Sequence, residues 1–209
     1  MLRYSFVIAS LLGLCACQAD DLEIEIRASE LLAAETGTAS RIEFEAEAGE
    51  EFTEVDDEKR ADIDLIVDAI RNYFPDAEVE VDYSGNGYSI EIEGEITISN
   101  SSSGVKEPWF VNVSEGPIEN SLLVSLETTD SFDSFSRALN SVNLMLSPDE
   151  FQPVEFKIRG DGESVLAFGG LLNGEPTTIG ISTLSDEWTR IDLSGGVWED
   201  TSAGFLLLR

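Results

Sequence analysis

Residues 22–27, Leu-Glu-Ile-Glu-Ile-Arg, and residues 41–48, Arg-Ile-Glu-Phe-Glu-Ala-Glu-Ala, alternate apolar and charged side chains. In an extended chain successive side chains point to opposite faces, so each stretch reads as a strand with one face for a core and one for water. Leu22, Ile24 and Ile26 share one face of the first, and Ile42, Phe44 and Ala46 share one face of the second. Further on, residues 78–83 and 89–98 alternate in the same way around Ser84-Gly85-Asn86-Gly87. Asn-Gly supplies the two positive-φ positions of a tight hairpin turn.

Between these pairs of strands the period changes. Ile63, Ile66, Val67 and Ile70 recur at helical spacing, which predicts a helix over 57–74. Asp56, Asp57 and Glu58 sit at its positive end and Pro75 stops it. The polar faces of the strands carry Glu23, Glu25, Glu43, Glu45, Glu47, Glu78, Glu80, Asp82, Glu91, Glu93 and Glu95. If the strands share a sheet, one face packs on the helix and the other is covered with carboxylates.

The second half opens similarly. Residues 122–127 read as a strand. Phe135, Leu139, Val142 and Leu146 form a helical stripe, with Asp130 and Asp133 as its expected N-terminal cap and Pro148 ending it. Residues 154–159 and 164–168 read as strands around Asp161-Gly162, and 177–183, 188–193 and 205–208 as three more. The expectation is an α+β fold: antiparallel sheets with helices packed on one face, in two β-α-β-β units, the C-terminal half being richer in strands. The polar run from Ser99 through Gly104 marks a seam. The expected organisation is a leader over 1–16, an acidic α+β subdomain over 17–99, a linker over 100–108 and a β-rich α+β subdomain over 109–209.

Composition narrows the chemistry. Histidine is absent, which removes Ser-His-Asp and Cys-His nucleophile systems and the usual zinc and non-haem iron sites. With 42 acids against 12 bases the net charge is −30. Such a surface repels nucleic-acid phosphate and anionic lipid, and it suits a basic protein partner or a saline habitat. No cofactor or metal is expected: no D-x-[DN]-x-[DN]-G loop occurs, and helix capping accounts for the cluster at 56–58. Glu199-Asp200 is the other tight acidic pair.

The chain begins Met1-Leu2-Arg3, followed by an apolar run over 6–14. That run is about nine residues, too short for a membrane-spanning helix, which takes roughly 20. It fits the core of a signal peptide. Leu14-Cys15-Ala16-Cys17 resembles a bacterial lipobox, with an aliphatic residue at −3, a small one at −1 and the acylated cysteine at +1. Cys15 would place Leu14 at −1 and is excluded as the acceptor; the alternative is ordinary secretion with cleavage near Ala16 or Ala19. The resemblance implies lipid on Cys17 and anchoring to a membrane. Gln18, where inner-membrane lipoproteins typically carry Asp, implies the outer membrane if the cell is Gram-negative. Cys15 would leave with the leader, so the mature chain would hold no disulfide.

Two further resemblances are legible. Phe156–Phe205 contains FKIRGDGESVLAFGG followed by DEWTRIDLSGG, which is similar to the C-terminal half of galactose-binding-like jelly rolls. The β-α-β-β pattern before it departs from that family, and no sugar-contacting residue carries over. LEIEIRASELLAAETGTASRIEFEAE, from residue 22, resembles small uncharacterised lipoproteins of bacteria and their phages. That likeness implies an early strand packed into the fold, and no activity.

Candidate sites follow. A glycosidase needs two carboxyls about 5–9.5 Å apart in unlike environments, and no acid stands in an obviously apolar context beside another. Arg159-Gly160-Asp161 spells an adhesive tripeptide at a hairpin tip, where turn chemistry explains the same residues. Trp109, Trp188 and Trp198 all lie in the second half, and Trp188 and Trp198 are the candidates for stacking on a sugar. The expected function is that of a lipid-anchored, non-catalytic envelope protein with a binding or structural role. The alternatives are a carbohydrate-binding module on the outer membrane and a phage-derived exclusion lipoprotein.

Overall fold

The computed structural model describes residues 19–50, 53–83, 87–143, 154–193 and 204–209. Cys17 and Trp198, the tip of the expected Asn-Gly turn, Leu146, Pro148 and the Glu199-Asp200 pair lie outside them. The elements run β1 (Ala19–Arg27), α1 (Ala28–Glu35), β2 (Ser40–Glu50), α2 (Asp57–Tyr73), β3 (Glu78–Asp82), β4 (Tyr88–Ser99), β5 (Trp109–Glu115), β6 (Ser121–Thr128) and α3 (Phe132–Asn140). Then come β7 (Glu155–Arg159), β8 (Ser164–Phe168), β9 (Leu171–Leu172), β10 (Glu175–Pro176), β11 (Ile179–Thr183), β12 (Thr189–Asp192) and β13 (Gly204–Leu208). No helix among the described residues is long and apolar enough to cross a membrane.

The α+β expectation is overturned. The fold is β-rich: all thirteen strands described belong to one curled, half-barrel sheet, and the helices are three short elements. The path is β10-β9-β12-β7-β1-β2-β4-β5-β6-β13-β8-β11, with β3 added on β4. The sheet is mixed, since β1 runs parallel to β7 and β4 parallel to β5. The two expected β-α-β-β units also fail as a repeat. β3 and β4 do form an antiparallel pair. In the second half β7 leaves β8 and inserts between β1 and β12. Alternation assigns the face of a strand and says nothing of its neighbour, which is why two similar patterns could take different partners.

The core lies on the inner face of the curl. Ile24 and Ile26 of β1, Phe156 and Ile158 of β7, Ile90 and Ile98 of β4, and Phe205 and Leu207 of β13 are fully buried there. Phe156 and Phe205 meet with ring centroids 5.3 Å apart, although their strands are not neighbours in the sheet. Much of the core is therefore the sheet packed on itself. Asp56 caps α2 by accepting from the Lys59 N–H at 2.8 Å, and Ile63, Ile66, Val67 and Ile70 are buried.

Four elements were not legible: α1, β5 and the two-residue strands β9 and β10. α1 has only two turns, buried through Ala28, Leu31 and Ala34. Glu30 accepts the Arg27 backbone N–H at 2.7 Å and so satisfies its first turn. In β5, Phe110 and Val111 are consecutive and both buried, so alternation is lost. Strands covered on both faces read as apolar runs. α3 ends at Asn140, short of the stripe that suggested it, and is entered through Ser131 without a side-chain cap.

One hairpin joins the two ends of the path. The register Ser164↔Thr183 of β8 and β11 continues unbroken into Leu172↔Glu175 of β9 and β10. Asn173 and Gly174 turn it, with φ of 52° and 81°. Gly169 and Gly170 bend it midway, at φ 76° and 80°. Ahead of the bend β8 pairs with β13; beyond it β9 pairs with β12.

Candidate binding face

The outer face of β3, β4, β2, β1, β7 and β12 is acidic, and strand register organises it. Glu78 pairs with Glu93, Glu93 with Glu45, Glu45 with Glu23, Glu23 with Glu155 and Glu155 with Asp192. These six acids form one row across six strands, about 4.8 Å apart from strand to strand. A second row joins Asp21, Glu47, Glu91 and Glu80. Glu43, Glu45, Glu47, Glu91 and Glu93 are exposed, while Glu23 and Glu25 are half-buried. Between the rows lies a groove of ≈ 390 Å³, lined by Leu22, Glu23, Glu45, Ala46, Glu47, Glu91, Ile92, Glu93, Glu155 and Arg190.

Arg190 lines one end of it, and Lys157 is paired with one of its acids. Lys157 pairs with Glu23 and, at 3.8 Å, with Glu25. Arg190 Nε lies 3.7 Å from Glu155 Oε1, an ion pair too long to be a hydrogen bond. That oxygen is buried and has no hydrogen-bond partner. Burial raises the Glu155 carboxyl above its ordinary value; Arg190 opposes this, and the negative charges of Glu23 and Asp192 reinforce it. Among the described residues Glu43, Glu45, Glu47, Glu91 and Glu93 have no ion pair. Nor, among those residues, does any group of three or more acids have the geometry of a metal site. The groove can attract cationic groups.

Other acids serve the fold. Glu107 is buried and paired with Arg41, which also reaches Glu95 at 3.5 Å. Glu50 accepts from Lys59 at 2.7 Å and from the Tyr88 hydroxyl at 3.3 Å, tying β2 to α2.

Of the tryptophans, Trp109 packs among Phe74, Phe132 and Phe135. Trp188 is half-buried beneath the Arg159 guanidinium, whose carbon lies 4.4 Å from the ring centroid. The groove and Trp188 are separate features, since the indole does not line the groove. In Arg159-Gly160-Asp161 the first side chain is thus on an indole, and the Asp161 N–H donates to Glu163 at 2.8 Å. Sequence reasoning overlooked Glu155, Lys157 and Arg159 as members of the outer face, although the alternation of Glu155-Phe156-Lys157-Ile158-Arg159 carries that signal.

The outer face changes character further round the sheet. Leu123, Leu206, Leu166 and Ile181 form an apolar row across β6, β13, β8 and β11. No protein-family model matches the chain, and no curated protein matches it.

Proposed function

We propose that the chain is a lipid-anchored, non-catalytic protein of the bacterial cell envelope, held by an acylated Cys17, whose acidic sheet face binds a partner rich in lysine or arginine. The row Glu78-Glu93-Glu45-Glu23-Glu155-Asp192 carries the binding part of this reading. Like charges on directly opposed strand positions are destabilising, and scattered acids would serve solubility as well. A groove lined by carboxylates in register, with Glu45, Glu47, Glu91 and Glu93 exposed, suits an extended cationic segment. Leu14-Cys15-Ala16-Cys17 supports the anchor, and Gln18 an outer-membrane destination.

The test pairs two variants of equal charge. One replaces Glu43, Glu45, Glu91 and Glu93 by Gln; the other neutralises the exposed Glu58, Asp64, Asp68 and Asp76 on and after α2. A decalysine peptide should bind wild type and the second variant alike and the first more weakly, with added salt reducing all three through screening. Equal losses in both variants would mean that binding follows net charge alone, and the face would have no specific role. Separately, Cys17→Ser should abolish fatty-acid labelling and membrane partitioning.

A second reading, a carbohydrate-binding module, draws support from Trp188, whose ring is only half-buried. Neutral oligosaccharide binding that is lost in Trp188→Ala would favour it over the cationic partner.

A further inference from the structure

We infer that Arg27 and Arg159, the latter seated on Trp188, form a binding site for an oxyanion, the carboxylate or phosphate of a ligand. The site stands apart from the acidic groove, and its ligand has the opposite charge to the partner proposed for that groove.

The chain has 12 basic residues among 42 acids. A cation here should find a carboxylate easily, and Arg41, Lys59, Lys157, Arg190 and Arg209 each lie within ion-pair distance of one. Among the described residues Arg27 and Arg159 do not, and neither do Arg60, Arg71, Lys106 and Arg137; what sets the first two apart is their placement. They are Cα partners in the parallel pair of β1 and β7, with both side chains on the outer face. Adjacent strands are about 4.8 Å apart, so two like charges stand on neighbouring strand positions at an electrostatic cost that no carboxylate offsets by an ion pair. Glu25, two residues before Arg27 on the same strand face, is already engaged by Lys157 at 3.8 Å. Glu30 accepts from the Arg27 backbone N–H and makes no ion pair with its side chain.

Trp188 adds a second and independent observation. The Arg159 guanidinium carbon lies 4.4 Å from the indole centroid. A guanidinium over an aromatic ring is attracted through its face and can still donate its N–H groups along its edge. That guanidinium sits on the strand next to the one that carries the exposed Arg27. Two guanidinium groups match the paired oxygens of a carboxylate, phosphate or sulfate, and a charge-assisted bidentate contact is the strong form of hydrogen bond. Because the chain's own field repels anions, retention there depends on these short contacts rather than on long-range attraction.

The experiment follows the Trp188 indole N–H and the arginine Nε–H signals by NMR during titration of the protein. The probes are inorganic phosphate, an oligogalacturonate, a neutral oligosaccharide and sodium chloride, all at matched ionic strength. Phosphate or oligogalacturonate, or both, should shift these signals saturably, and the stronger of the two identifies a phosphate-bearing or an acidic-sugar ligand. Arg27→Gln and Arg159→Gln should each weaken binding by about tenfold or more. Arg27 is exposed, so its variant remains informative if the Arg159 variant fails to fold. The inference is overturned if neither oxyanion shifts the signals or if chloride shifts them equally. It also fails if only the neutral sugar binds, or if Arg27→Gln retains wild-type affinity.

Discussion

The ring of Phe156 on β7 meets that of Phe205 on β13 edge to face, with centroids 5.3 Å apart and planes inclined by 67°. No ladder of hydrogen bonds joins those two strands; the curl of the sheet brings them together. Both rings are fully buried. Truncating either to alanine should therefore cost about 3–5 kcal/mol, the range for a buried Phe. In a double-mutant cycle the pair should couple by about 0.5–1.5 kcal/mol. Urea unfolding of the three variants measures both quantities. Additive losses would show that the rings do not touch in solution.

Glu155 makes stability depend on pH in an unusual direction. Burial raises its folded-state value above the ordinary 4.5, against the opposing pull of Arg190. The folded chain therefore binds this proton more readily than the unfolded one. Its contribution is fully present below the ordinary value and is lost as pH rises through the folded value. Glu155→Gln should accordingly be more stable than wild type at pH 7, and the difference should vanish near pH 4. Denaturant midpoints at the two pH values decide this; a variant less stable at pH 7 would show that the Arg190 ion pair dominates.

Gly170 should tolerate no side chain. Its φ is 80°, and a Cβ there would collide with the carbonyl oxygen of Asp192. Gly37 has φ 86° and open space around it. Gly37→Ala should cost about 1 kcal/mol from strain alone, while Gly170→Ala should cost clearly more by unseating β9 from β12. Thermal unfolding of the two variants gives the ranking, and equal losses would contradict the close approach.

Ile181 and Leu166 occupy one cross-strand row yet differ in exposure, 66% against 7%. Ile181→Lys, on the terminal strand of the sheet path, should change stability by no more than about 0.5 kcal/mol and raise solubility. Leu166→Lys buries a charge and should be severely destabilising. Similar effects from both would mean that β11 is covered in solution.

Several strands could be read from residues alone. The alternation at 22–27, 41–48 and 78–83 identified β1, β2 and β3, and it put Glu43, Glu45, Glu91 and Glu93 on the wet face, where they stand exposed. The Asp56 cap and the Ile63-Ile66-Val67-Ile70 stripe identified α2. These features are local: period two, period 3.6 and cap chemistry act within a few residues. The partner of each strand is not local. That β7 would insert beside β1, and so set Glu155 against Glu23 and Arg159 against Arg27, depends on contacts across more than a hundred residues. The alternating pattern of Glu155-Phe156-Lys157-Ile158-Arg159 would suit any neighbour with an apolar inner face. Only closure of the inner face, with Phe156 against Phe205, selects one register, because burying those rings together outweighs the repulsion between the charges it aligns outside.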